Sequence, residues 1–119
     1  MRLTLPLGLV GLPGQTQFTL RSDASSGLVE MVAREPDGLD FVAAPIERIR
    51  PGLRDRLVAM GEAGAGDLVL ILLAVHGEPP VLTANLAGPI IIEADEGIGR
   101  QLVLEGDDFP LRAEIAKLA

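Results

Sequence analysis

The chain contains no cysteine, no tryptophan and no tyrosine, and only one histidine and three phenylalanines. Without thiols there is no disulfide framework, no thiolate metal site and no cysteine nucleophile. One histidine makes a histidine-cluster metal centre unattainable. Three phenylalanines do not supply the aromatic platforms on which RNA-binding sheets stack bases. Long apolar runs are also missing: the longest, Leu68 to Val75, is eight residues, too short to span a bilayer as a helix. The apolar opening is short and interrupted by Pro6 and Gly8, which is not a signal-peptide pattern. A cytoplasmic protein is the expectation.

What remains is 119 residues, 48% of them apolar. That suffices for one domain with its own core. The net charge is −7, and its distribution says more than its size. Residues 1–60 carry seven acids and seven arginines, whereas residues 61–119 carry ten acids against Arg100, Arg112 and Lys117. The excess acid therefore lies entirely in the second half. Such a surface repels phosphate backbones and anionic lipid and attracts basic protein surfaces. Neither direct nucleic-acid binding nor membrane binding is expected.

The hydrophobic pattern is that of an all-β protein. Leu3, Leu5, Leu7 and Leu9 alternate with Arg2, Thr4, Pro6 and Gly8, predicting a strand with an edge or bulge at Pro6. Gly11 to Gly14 reads as a turn. Phe18 and Leu20 alternate with polar neighbours in a second strand. Residues 28–34 and 39–44 flank Glu35-Pro36-Asp37-Gly38, a hairpin signal. Leu53, Leu57 and Met60 stand at helical spacing behind Pro51, predicting a short helix that ends near Gly61. Residues 67–75 predict a central strand buried on both faces. Extended segments follow at 81–87, 89–94 and 99–105. Leu111, Ile115 and Leu118 suggest a short C-terminal helix or a tail laid on the sheet. The reading is an all-β, mainly antiparallel, small β-barrel-like single domain over residues 1–119, with one or two short helices.

Little of this is catalytic. The serines lie together at 22, 25 and 26 with no nucleophile-elbow pattern. Asp95-Glu96 and Asp107-Asp108 are adjacent acids outside any calcium-loop spacing. They read as solvated turn residues, and His76 as a strand-end residue. The arginines at 48, 50, 54 and 56 are interleaved with Glu47 and Asp55, as on an ordinary exposed helix. No cofactor or metal is expected. An enzymatic alternative remains, a small acid-dependent hydrolase using Asp107 or Asp108 with His76. Asn85 fits its apolar strand poorly; its amide needs either backbone partners at a strand irregularity or a binding partner.

The segment Thr83-Ala84-Asn85-Leu86-Ala87-Gly88-Pro89-Ile90-Ile91-Ile92, then Gly99-Arg100-Gln101-Leu102-Val103-Leu104 and Phe109-Pro110-Leu111-Arg112, resembles the flagellar assembly factor FliW family. Gly11-Leu12-Pro13-Gly14 and Leu39-Asp40-Phe41-Val42-Ala43-Ala44-Pro45 agree with it in order. The chain departs from the pattern at Gln15 and Gly88 and in lacking tyrosine. The resemblance implies a non-enzymatic protein, monomeric when free. It would bind flagellin and antagonise the translational regulator CsrA, coupling flagellin synthesis to export. A diverged module with only one partner, or a different one, is the alternative. Candidate partner-binding residues are Asn85, Glu93, Asp95, Glu96, Arg100, Gln101, Glu105, Asp107 and Asp108, the acids serving to steer the basic regulator.

Overall fold

The computed structural model describes residues 1–118. Nine strands form one sheet: β1 (Arg2–Thr4), β2 (Gln17–Ser22), β3 (Val29–Ala33), β4 (Phe41–Pro45), β5 (Leu68–His76), β6 (Val81–Ala84), β7 (Ile90–Glu93), β8 (Ile98–Gln101) and β9 (Ala113–Lys117). Two short helices, α1 (Ile46–Ile49) and α2 (Leu53–Ala59), lie between β4 and β5. Seven strands close into a barrel in the order β4-β3-β2-β1-β8-β7-β5, with β5 pairing back onto β4. β6 and β9 continue from β5 as a flange outside the ring. The expected all-β barrel with short helices is the fold observed.

β5 makes this topology possible. Leu68–Leu70 pair with β7, Leu70–Leu73 with β4, and Leu73–His76 with β6. Its middle is buried on both faces, as expected. Leu70 points into the barrel among Leu3, Leu5, Phe18, Met31, Ile90 and Ile92. Val69 and Ile71 face a second core with Ile46, Leu53, Leu57, Leu86, Leu102 and Phe109. Beyond the barrel this double burial ends, and Val75 is exposed.

Three expectations need correction. The first strand stops at Thr4, not Leu9, because Pro6 cannot donate to a ladder and instead enters a turn that the Gly8 N–H closes on the Leu5 carbonyl at 2.8 Å. Leu7 accordingly faces solvent while Leu9 returns to the core. The last segment is neither a helix nor a tail laid on the sheet but a strand within it, β9, paired antiparallel to β6 with a bulge between Leu82 and Thr83. Its helical spacing marks no apolar stripe, since Leu111, Ile115 and Leu118 are all exposed; ladder bonds to the free edge of β6 outweigh the local pattern. The expected one or two short helices are two: α2 follows Pro51, and Ile46 anchors α1 in the second core before it. Met60, predicted on the buried face, is exposed.

The barrel closes at its weakest seam. β1 and β8 run parallel, with the single register pair Thr4↔Ile98. The Thr4 N–H donates to the Gly97 carbonyl at 2.8 Å. Gly97 has φ +65°, and a Cβ there would stand 2.5 Å from the Arg2 carbonyl oxygen. At Gly61, φ is +77° but the space is open. A side-chain amide adds a tie nearby: Gln101 accepts from the Val10 N–H at 2.8 Å and donates to the Gly88 carbonyl at 3.0 Å. It thereby binds the N-terminal loop to the β6–β7 connection.

The two helices are held together by charge. The Arg54 guanidinium pairs with Glu47 at 2.9 Å and donates to the Asp67 carbonyl at 2.7 Å. Hydrogen bonding from Arg54 holds the Glu47 carboxyl below the usual carboxylate range. A depressed carboxylate stabilises the fold above its ordinary pKa, and that stability is lost as pH falls through the folded-state value.

Two outcomes follow from these contacts. Gly97→Ala will destabilise the protein at least about twice as much as Gly61→Ala, for which the left-handed backbone alone costs about 1 kcal/mol; urea midpoints of the two variants measure the difference. Glu47→Gln will cost about 0.5 kcal/mol at neutral pH, as befits a half-exposed pair. The gap to the parent will close as pH falls below the usual carboxylate range, read from denaturation curves across that fall.

Candidate functional site

The predicted site residues separate into three places. Glu93, Asp95 and Glu96 occupy the β7–β8 turn and are all exposed. The turn is a short one: the N–H groups of Glu96 and Gly97 both donate to the Glu93 carbonyl, at 3.1 and 2.8 Å. A cleft of about 340 Å³ separates it from Gly66 and Asp67. A second cleft of about 440 Å³ shares Asp67 and Glu93 and adds Glu62 and Arg100. Glu93, Asp95 and Glu96 thus face outward along one end of the barrel, beside the half-buried Glu62 and Asp67, whose carboxylate accepts from the Gly64 N–H at 2.8 Å. No group of three or more of the described carboxylates and histidine is arranged to hold a metal ion.

Arg100 serves this edge as a brace. Its guanidinium donates to the Glu62 carbonyl at 2.8 Å and to the Glu62 carboxylate at 3.2 Å. The contact fixes the loop after α2 against β8 and neutralises one acid of the edge. Gln101 points the other way and is occupied by its two backbone bonds.

Glu105, Asp107 and Asp108 do not join the acidic edge. They lie in the loop between β8 and β9, where Asp108 pairs with Arg56 of α2 at 3.2 Å. Arg50 donates to the Asp108 carbonyl at 3.1 Å, and the Arg56 guanidinium stacks 4.9 Å from the centre of the Phe109 ring. Of the helix arginines, Arg54 pairs with Glu47 within the cluster, as the interleaving suggested, and Arg56 pairs with Asp108 from the other half of the chain. Glu105 and Asp107 make no ion pair among the described residues, so the excess acid of the second half is divided between this loop and the β7–β8 turn.

Asn85 sits at the end of β6, where the Ala87 N–H donates to its Oδ1 at 3.1 Å. The backbone reading of this residue holds: the amide organises the turn that carries the chain to β7. Around it lies an apolar surface that pattern reasoning missed. Val10, Val103 and Leu111 are 59%, 69% and 62% exposed. They come from three loops, and no periodicity connects residues brought together from such distant loops. His76 and Arg112 line the adjoining groove, which has no carboxylate in its walls. The hydrolase alternative needed His76 beside Asp107 or Asp108; neither aspartate lines the groove that His76 lines, and Asp108 pairs with Arg56 of α2.

No helix of the described residues is long and apolar enough to cross a membrane. Comparison with known proteins agrees with the barrel. Residues 1–115 match the family model described as FliW protein. The flagellar assembly factor FliW of Leptospira biflexa is 27% identical over 121 residues, covering 95% of this chain and 79% of that protein. The flagellar assembly factor FliW of Geotalea uraniireducens is 28% identical over 115 residues, covering 91% and 70%. A crystal structure of the flagellar assembly factor FliW superposes with a TM-score of 0.72 at 19% identity, over 97% of this chain and 84% of that one. That similarity establishes the shared fold, and the family match over nearly the whole length goes further: this chain belongs to the FliW family of flagellar assembly factors.

Proposed function

We propose that this protein works by binding rather than by catalysis, holding flagellin before export and alternatively engaging a CsrA-type translational regulator. Capture of the regulator relieves repression of flagellin synthesis; accumulating flagellin then draws the protein away again. This is an exchange of partners, and linkage requires each partner to lower the protein's affinity for the other by the same factor.

The observation that carries the regulator half is the outward set Glu93, Asp95 and Glu96 with Glu62 and Asp67 beside it. A small basic protein approaching that end meets a field of one sign, which accelerates encounter more than it tightens the final complex. Asp108 contributes less, because Arg56 already answers its charge. Arg100 and Gln101 act on the shape of the surface through Glu62, Val10 and Gly88.

Stopped-flow association with a purified CsrA-type regulator tests the assignment. The rate will fall as salt rises, and the double variant Asp95→Asn/Glu96→Gln will lower it about threefold or more at low ionic strength. Asp107→Asn/Asp108→Asn will change it less. A rate independent of salt overturns the steering role, and absence of binding to both the regulator and flagellin at micromolar concentration overturns the proposed function.

A further inference from the structure

Two depressions on the flank of the barrel run together. A notch of about 90 Å³ is walled by Val10, Val103 and Leu111. A groove of about 300 Å³ continues from it past Arg112 and His76. Asn85 and Leu111 line both. Exposed apolar side chains are ordinary when scattered, but these three surround one hollow, the pattern of a surface that is covered when a partner docks.

The polar groups of the hollow are specific. With its Oδ1 taken by the Ala87 N–H, Asn85 presents Nδ2 as a donor with no acceptor among the described residues. The N–H groups of Leu102 and Leu104 donate to the carbonyls of Pro89 and Ala87 at 2.8 and 2.7 Å. The alternation of an extended chain therefore turns the N–H and carbonyl of Val103 away from that pairing, leaving a main-chain donor and acceptor open. Arg112 is exposed and makes no ion pair among the described residues. Glu114, opposite Thr83 in the β6–β9 register, is the nearest carboxylate along β9 and lies outside the lining. In a chain of net charge −7, the only ionisable side chains lining this hollow are a cation and a histidine.

We infer that the notch and groove bind an extended protein segment in which an apolar side chain stands close to a carboxylate. The apolar side chain fills the notch, the carboxylate meets Arg112, and Asn85 Nδ2 and the Val103 backbone bond the segment's main chain. The site is opposite in charge to the acidic edge and does not depend on which partner uses that edge.

The probe is acetyl-Gly-Leu-Ser-Asp-Gly-amide, titrated into the isotope-labelled protein and followed by amide NMR. Shifts will concentrate at the Asn85 side chain, Val103 and Leu111, with affinity of about millimolar for so short a peptide. Replacing Asp by Lys in the peptide will weaken binding about tenfold, and Arg112→Glu will invert that preference. Val103→Ser will weaken both peptides while the remaining spectrum reports an intact fold. The acidic-edge variant Asp95→Asn/Glu96→Gln will leave peptide binding unchanged, so failure of the steering role and failure of this site are separately visible. Equal binding of Asp and Lys peptides, shifts centred on the β7–β8 turn, or no shifts at about 10 mM peptide each overturn the proposal.

Discussion

Burial of β5 on both faces is the constraint from which the rest of the architecture follows. A strand packed on one side can be one stave among many; one packed on both must lie between two cores. Leu70 serves the barrel interior while Val69 and Ile71 serve the layer beneath the helices and the 102–109 loop. At roughly 25 cal/mol per Å² of apolar surface, each such side chain contributes a few kcal/mol, and neither core is complete without this strand. β5 also outlasts the barrel, so its last residues recruit β6 and through it β9. One strand thereby joins a closed ring to an open flange, and the turn that Asn85 organises lies at that junction.

Electrostatics follow from the same layering. α1 and α2 are docked through Ile46, Leu53 and Leu57, which places Arg50 and Arg56 against the loop that carries Asp108. One ion pair, Arg56 with Asp108, thereby joins residues far apart in the chain. Glu93, Asp95 and Glu96 make no ion pair among the described residues and lie on a turn too short to carry anything but side chains outward. Surfaces of opposite character, one acidic and one apolar with a cation, coexist on so small a protein because the barrel wall separates the turn of β7–β8 from the flank of β6–β9.

Much of the barrel was legible in the residues. Alternation in Phe18–Leu20 and Val29–Met31, the Glu35–Gly38 turn and the apolar run of β5 each encode structure locally, and each was realised. The failures have a common physical cause. Leu7 and Leu9 keep a period of two across Pro6, but a proline turn breaks the ladder while leaving the pattern intact. Leu111, Ile115 and Leu118 keep a helical period, yet the open edge of β6 turns the segment into a strand. Local pattern loses wherever an unpaired edge or a missing N–H decides. For the site, adjacency in sequence placed Glu93, Asp95 and Glu96 together correctly, because a turn keeps neighbours neighbours. It could not show that Asp108 has an arginine partner, or that Val10 meets Val103 and Leu111, since both depend on tertiary closure.

The flange gives the molecule two grades of permanence. β9 is tied to the sheet along β6 alone, through a bulged ladder with only Ala113 and Ala116 half-buried, whereas every barrel strand has neighbours on both sides. Opening β9 exposes little apolar surface, while opening the ring exposes both cores. Amide protons of β9 therefore exchange through fraying that leaves the barrel whole, and those of Val69 to Ile71 exchange only with global unfolding. A surface bordered by so loosely held a strand can widen without cost to the fold that carries it.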